Sequence, residues 1–177
     1  MTNVLITGAN KGLGRETARR LAAEGWTVLL GARDPGRGRE AAGTLAAGGG
    51  DVRHVPLDVT DDASVAAAVA QVGETTGHLD VLINNAGLVG ARVGPRETGP
   101  ADFLACFGVN LLGPVRVTRA FLPLLARAAL PRVVMVSSGM GSLAVTTDPE
   151  RLESGIVSLV YPSSKAALNM VTTQYAK

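Results

Sequence analysis

Tyr161 and Lys165 stand four residues apart in Tyr161-Pro162-Ser163-Ser164-Lys165. On a helix that spacing puts both side chains on one face, an ammonium beside a phenol. A free phenol has a pKa of about 10, too high for efficient proton exchange at neutral pH. A nearby cation favours the phenolate. Such a pair can pass a proton to and from a substrate oxygen. Ser137-Ser138 closes an apolar run upstream, and a hydroxyl there could hydrogen-bond the same oxygen. A Tyr-x-x-x-Lys pair alone is usually a surface contact. A third motif gives it weight: Thr7-Gly8-Ala9-Asn10-Lys11-Gly12-Leu13-Gly14. It joins an apolar run to an amphipathic stretch. A glycine turn there reverses the chain tightly, lets backbone approach a pyrophosphate and aims free helix N–H groups at it. Its bland alternative is a plain strand–helix turn with packing glycines.

The elements that must position these residues are legible. Residues 3–7, 26–30, 51–57, 79–83 and 132–136 are short, largely apolar runs, expected as strands covered on both faces. Helical patterns fill about 12–24, 36–47, 61–75, 100–108, 110–129 and 160 onward. Gly25 stands where a helix-ending glycine belongs, and Thr60 or Asp61 can cap the third helix. Residues 88–99 read as a Gly/Pro-rich loop and 139–158 as irregular. Strand–helix alternation predicts an α/β fold: a doubly wound parallel sheet of the Rossmann type, in one domain over 1–177.

Composition excludes several classes. Of 177 residues, 46% are hydrophobic, enough to bury a core and argue against disorder. A single cysteine cannot build a disulfide framework and points to a reducing compartment. A net charge of +2 without basic runs gives no footing for nucleic acid. No apolar stretch approaches the ~18 residues of a membrane span, and the N-terminus shows no signal-peptide pattern. A cytoplasmic protein is therefore expected. His54 and His78 are isolated, so no metal site is expected. Cys106 reads as a small buried hydrophobe.

The glycine spacing G-x-x-x-G-x-G resembles the short-chain dehydrogenase/reductase family. Four more segments follow in that family's order: Asp58-Val59, Asn84-Asn85-Ala86-Gly87, Ser137-Ser138 and Tyr161 to Lys165. The resemblance covers nearly the whole chain. It implies reversible hydride transfer between a nicotinamide cofactor and a carbonyl or alcohol of a small organic substrate. Tyr161 would donate the proton in the reductive direction. Ser138, the second of the pair, would orient the oxygen, and Ser137 would bond backbone. Lys165 would also bind the nicotinamide ribose. Asn110, in Gly108-Val109-Asn110-Leu111, matches the asparagine that positions a water beside the lysine. Tyr161, Lys165, Gly8, Asn10, Lys11, Gly12, Leu13 and Gly14 are thus expected at the cofactor. Asp58 and Val59 would meet adenine, while Asn84, Ala86 and Gly87 would line adenine and ribose. Asn85 reads as a turn residue, and Ser163 and Ser164 as surface or packing residues.

The second strand's end selects the nucleotide. An acidic residue there binds the ribose 2′-hydroxyl, whereas arginine accommodates a 2′-phosphate. In the family's register the acidic position falls on Ala32, with Arg33 next, Arg37 four further and Lys11 in the glycine turn. Three cations suit a phosphate dianion, so NADP(H) is expected over NAD(H), as in the NADPH-dependent carbonyl reductases of the family. Asp34 could pair with an arginine or contact the ribose instead.

Two departures stand out. Twenty-two residues separate Ser138 from Tyr161, against about a dozen in many relatives. This segment reads either as a lid over the substrate or as a surface insertion. The chain also stops in the Tyr161 helix, where the resemblance implies on the order of 50–60 further residues. The C-terminal strands are therefore expected to be missing. The competing functional reading is a nucleotide-binding protein without catalysis, acting as a sensor or assembly module. The resemblance implies self-association through the helices near 100–129 and 160–177, or a monomer, as in carbonyl-reductase-like members, if the extension before Tyr161 blocks that pairing.

Overall fold

The computed structural model describes residues 1–90 and 93–177. Ala91 and Arg92, in the loop expected over 88–99, lie outside them. The chain forms two compact units, one of residues 1–86 and 115–134, the other of residues 87–114 and 135–177.

The first unit is built on a sheet of β1 (Asn3–Ile6), β2 (Thr27–Ala32), β3 (Val52–Pro56), β4 (Val81–Asn84) and β5 (Arg132–Met135), in the order β3-β2-β1-β4-β5. β1 pairs parallel with β2 and β4, and β2 parallel with β3; Leu5 lies opposite Leu29 and Leu82. Crossovers between parallel strands need helices. These are α1 (Gly12–Ala23), α2 (Pro35–Ala47), α3 (Asp62–Thr76) and α5 (Gly113–Leu125), the last beginning in the other unit. The fold is the expected Rossmann-type α/β sheet.

Every residue of β1 and β2 is buried. Val4, Ile6, Val28 and Leu30 form a cluster with Ala18, Ala22, Ala41 and Ala42. Each buried Val, Leu or Ile contributes roughly 1.5–3 kcal/mol. The small helix residues let the helices sit close to the sheet. β2 runs through Ala32, two residues beyond the expected 26–30, and Trp26 precedes it. Gly31 has no side chain to end the run, and a Cβ on it would stand 3.0 Å from the Ile6 carbonyl oxygen. The difference matters because β2's end now falls on Ala32 itself.

The second unit contains α4 (Pro100–Phe107), α6 (Leu143–Thr147) and α7 (Val160–Tyr175). Asp102 caps α4 by accepting from the Gly99 N–H at 2.9 Å. One π turn, Gly108–Leu112, carries the chain from α4 into α5; Gly113 N–H donates to Gly108 O five residues back. The expected helix to residue 129 stops at Leu125. Residues 139–158 hold short helical turns, Gly139–Gly141, α6 and Leu152–Gly155, each below the length at which periodicity shows. Among the described residues no helix is long and apolar enough to cross a membrane.

Candidate active site

In the first unit the glycine turn is braced by the end of β4. The Thr7 hydroxyl accepts the N–H groups of Asn85 (3.0 Å) and Ala86 (2.9 Å). Asn85 Nδ2 donates to Thr7 O (2.8 Å) and Gly8 O (3.2 Å). So Asn85, expected as a turn residue, is the brace itself. Gly8 has φ +63°, and a Cβ there would stand 2.9 Å from Ala86 Cα. Gly14 is buried, and a Cβ on it would collide with Asn85 Nδ2. Asn84 Nδ2 donates to the buried Thr118 hydroxyl of α5 at 3.0 Å, tying strand to helix.

The turn can receive an anionic ligand. Space stays open within 4 Å of where a Gly12 Cβ would stand. Leu13 is 76% exposed. A cavity of about 270 Å³ beside the turn is lined by Asn10, Lys11, Arg15, Arg37 and Glu40, among others. Cations and an amide are donors suited to a phosphate, so the residues present fit a dinucleotide. Arg33, expected in this group, does not line the cavity; it is exposed and lies 4.0 Å from Asp58 Oδ2. Asp34 caps α2 by accepting the Arg37 N–H at 3.0 Å, and its carboxylate stands 3.8 Å from the Arg37 guanidinium. The Arg37 backbone bond holds the Asp34 carboxyl below its ordinary range. Asp34 thus has the arginine partner that one of its two readings expected.

Asp58 accepts from Thr60 N–H (2.9 Å) and Thr60 hydroxyl (2.7 Å). Burial opposes its charge, but these bonds outweigh burial and hold the carboxyl below the usual range. Val59 O accepts from Arg116 at 2.8 Å.

The second unit holds Ser138, Tyr161, Lys165, Asn110 and Gly87. Tyr161 and Lys165 share a face of α7, with Lys165 Nζ 5.7 Å from the Tyr161 ring centre. Lys165 is 4% exposed and donates to Val136 O at 2.7 Å. Burial pushes its pKa below the ordinary lysine range. The Tyr161 phenol makes no hydrogen bond among the described residues. Ser138 caps the turn after β5, its Oγ accepting the Met140 N–H at 3.2 Å. Ser137 donates instead to Asn169 Oδ1 on α7. Its expected backbone partner is thus replaced by a side chain. Gly141 packs on α7 where a Cβ would stand 2.7 Å from the Lys165 carbonyl carbon.

Asn110 is fully buried in the π turn. Its Nδ2 donates to Leu88 O (2.9 Å) and Ser164 Oγ (3.0 Å), and its Oδ1 accepts the Leu88 N–H (2.9 Å). Ser164 donates onward to Tyr161 O at 2.7 Å. Of its two readings, surface or packing, Ser164 is the packing one: it is fully buried and connects Asn110 to the Tyr161 helix. The spacing of Cys106 and Asn110, four apart and facing one way, was the signal for a partner there. Among the described residues no group of three His, Cys, Asp or Glu could hold a metal.

Lys165 also sets a pH test. Its folded pKa is depressed, so the folded chain binds fewer protons than the unfolded one as pH approaches ~10.4. Stability of the wild type should then rise relative to Lys165→Met between neutral and alkaline pH. Urea denaturation of both proteins at several pH values measures this; a wild type that loses stability relative to Lys165→Met as pH rises refutes it.

The family model for short chain dehydrogenases matches residues 2–177. The chain belongs to the short-chain dehydrogenase family. It is 37% identical over 175 residues to a short-chain dehydrogenase from Penicillium roqueforti, covering 96% of this chain and 69% of the relative. A solved NADPH-bound carbonyl reductase from chicken fatty liver superposes with TM-score 0.85 at 34% identity, over 97% of this chain and 71% of that one. A Burkholderia phymatum family member in complex with NAD gives TM-score 0.85 at 31% identity, over 98% and 58%. The chain spans 36% to 70% of the length of the curated relatives it matches.

Proposed function

We propose that this protein transfers a hydride between NADP(H) and a carbonyl or alcohol carbon of a small organic substrate. The observation that carries this is the buried Lys165 ammonium beside the Tyr161 ring, with Ser138 and Asn110 in the same unit. The pair sets a positioned proton donor, the Tyr161 phenol, beside a cation on one helix face. The nicotinamide, when bound, supplies or accepts the hydride. In reduction, Tyr161 gives its proton to the carbonyl oxygen as hydride reaches the carbon. Ser138 donates a hydrogen bond to the same oxygen. Lys165 holds the phenolate that remains, and Asn110 positions the water that returns a proton.

Lys11 and Arg37 beside the glycine turn support the 2′-phosphorylated nucleotide, as does the likeness to the NADPH-bound carbonyl reductase. Apolar side chains of the segment before Tyr161, Leu143 and Leu152 among them, are exposed and suit an apolar substrate. The test is to titrate the purified protein with NADPH and NADH, then assay ketones, aldehydes and quinones. NADPH binding with turnover of at least one class is expected. Binding without any turnover would favour the sensor or assembly reading, and tighter binding of NADH would refute the nucleotide assignment.

A further inference from the structure

Resting on the hydride-transfer reading, we propose that Glu153 selects the substrate, favouring carbonyl compounds that carry a protonated amine. Glu153 belongs to the segment between Ser138 and Tyr161, in the short turn Leu152–Gly155. That segment folds back on itself. Helix α6 packs both on the turn Gly139–Gly141 and on the turn Leu152–Gly155. The carboxylate of Glu153 is thereby set against Gly139, the residue after Ser138. A Cβ on Gly139 would stand 2.6 Å from Glu153 Oε1 and 3.4 Å from its Cδ. The carboxylate thus fills the space that a side chain at 139 would take. Neighbouring Cα atoms lie about 3.8 Å apart, so a small molecule whose oxygen is held by Ser138 has Glu153 within reach of its other end.

The carboxylate is also free to bind. Glu153 is half-buried, and its side chain makes no hydrogen bond or ion pair among the described residues. Arg151, two residues before it, is exposed and does not pair with it. Asp148 of the same segment, by contrast, has a structural task, accepting the Glu150 N–H at 3.0 Å. A partly desolvated carboxylate without a partner is costly until a cation meets it. The same charge repels an anion, so it discriminates in both directions. Leu152 and Ile156, both exposed, flank Glu153 in the sequence and offer apolar contact. An apolar body with one ammonium group matches this set.

Three ketones of one shape test the proposal on the whole protein: 4-(aminomethyl)acetophenone, acetophenone and 4-acetylbenzoate, which are a cation, a neutral molecule and an anion. Ligand-observed NMR titration of the protein with NADP⁺ present reads binding without hydride transfer, and NADPH consumption reads turnover. The wild type should bind the three in the order given. Glu153→Gln should weaken the cation about tenfold and tighten the anion by a similar factor, with acetophenone unchanged. Tighter binding of the anion is a gain that damage to the fold would not produce. Glu153→Lys should reverse the order. Equal weakening of all three ketones in Glu153→Gln overturns the proposal, as does a wild type that binds the three alike or binds none. Charge preference in binding without turnover of any ketone leaves the selection by Glu153 standing and tells against the hydride-transfer reading instead.

Discussion

Tyr161→Phe should lower turnover by about 10²–10⁴-fold, the usual contribution of a positioned proton donor, with NADPH affinity nearly unchanged. The substitution removes one oxygen. That oxygen has no hydrogen-bond partner among the described residues, so no buried group is left unpaired. The phenylalanine ring keeps its place beside Lys165, where Nζ stands 5.7 Å from the ring centre. Folding should therefore survive, and a fall in rate would report the missing proton. The proper readouts are kcat for carbonyl reduction and a separate NADPH titration. Because the hydroxyl acts on developing charge, kcat should fall together with kcat/KM. Turnover persisting in the variant would remove Tyr161 from the chemistry.

Gly14→Val should abolish nucleotide binding and destabilise the fold by about 1–3 kcal/mol, the usual cost of overpacking a filled site. A side chain at 14 meets Asn85 Nδ2 and, at 3.0 Å, Ala9 Cα. Asn85 can move only by giving up its bonds to Thr7 O and Gly8 O, and the turn loses its brace. Since Gly14→Val alone could fail to fold, Gly14→Ala, Asn85→Ala and the double variant complete the test. Removing the amide makes room, so the double variant should recover stability relative to the sum of the single changes. Denaturant unfolding and NADPH titration measure both effects. Strict additivity would show that the two residues do not compete for the same space.

The strand–helix alternation was legible because β1 and β2 are buried along their whole length, so they read as unbroken apolar runs. The glycine turn was legible because its spacing records backbone needs. What escaped the sequence depends on partners distant along the chain. Ser164 looks like any helix serine until Asn110, 54 residues away, is found bonded to it. That Asp34 also caps α2 shows only once Pro35 is seen to open that helix. The short turns over 139–158 bury too little to impose a period.

Cys106 makes the second unit observable in real time. It is the chain's single cysteine and is fully buried, with Asn110 Nδ2 3.2 Å from its sulfur and Ser164 Oγ 3.6 Å away. A thiol reagent can reach it only when that cluster opens, so its labelling rate counts local openings. Every modified chain carries one tag at one known place, beside the residues on which catalysis is proposed to depend. Labelling followed with and without nucleotide would then show whether binding tightens the catalytic helices or leaves their breathing untouched.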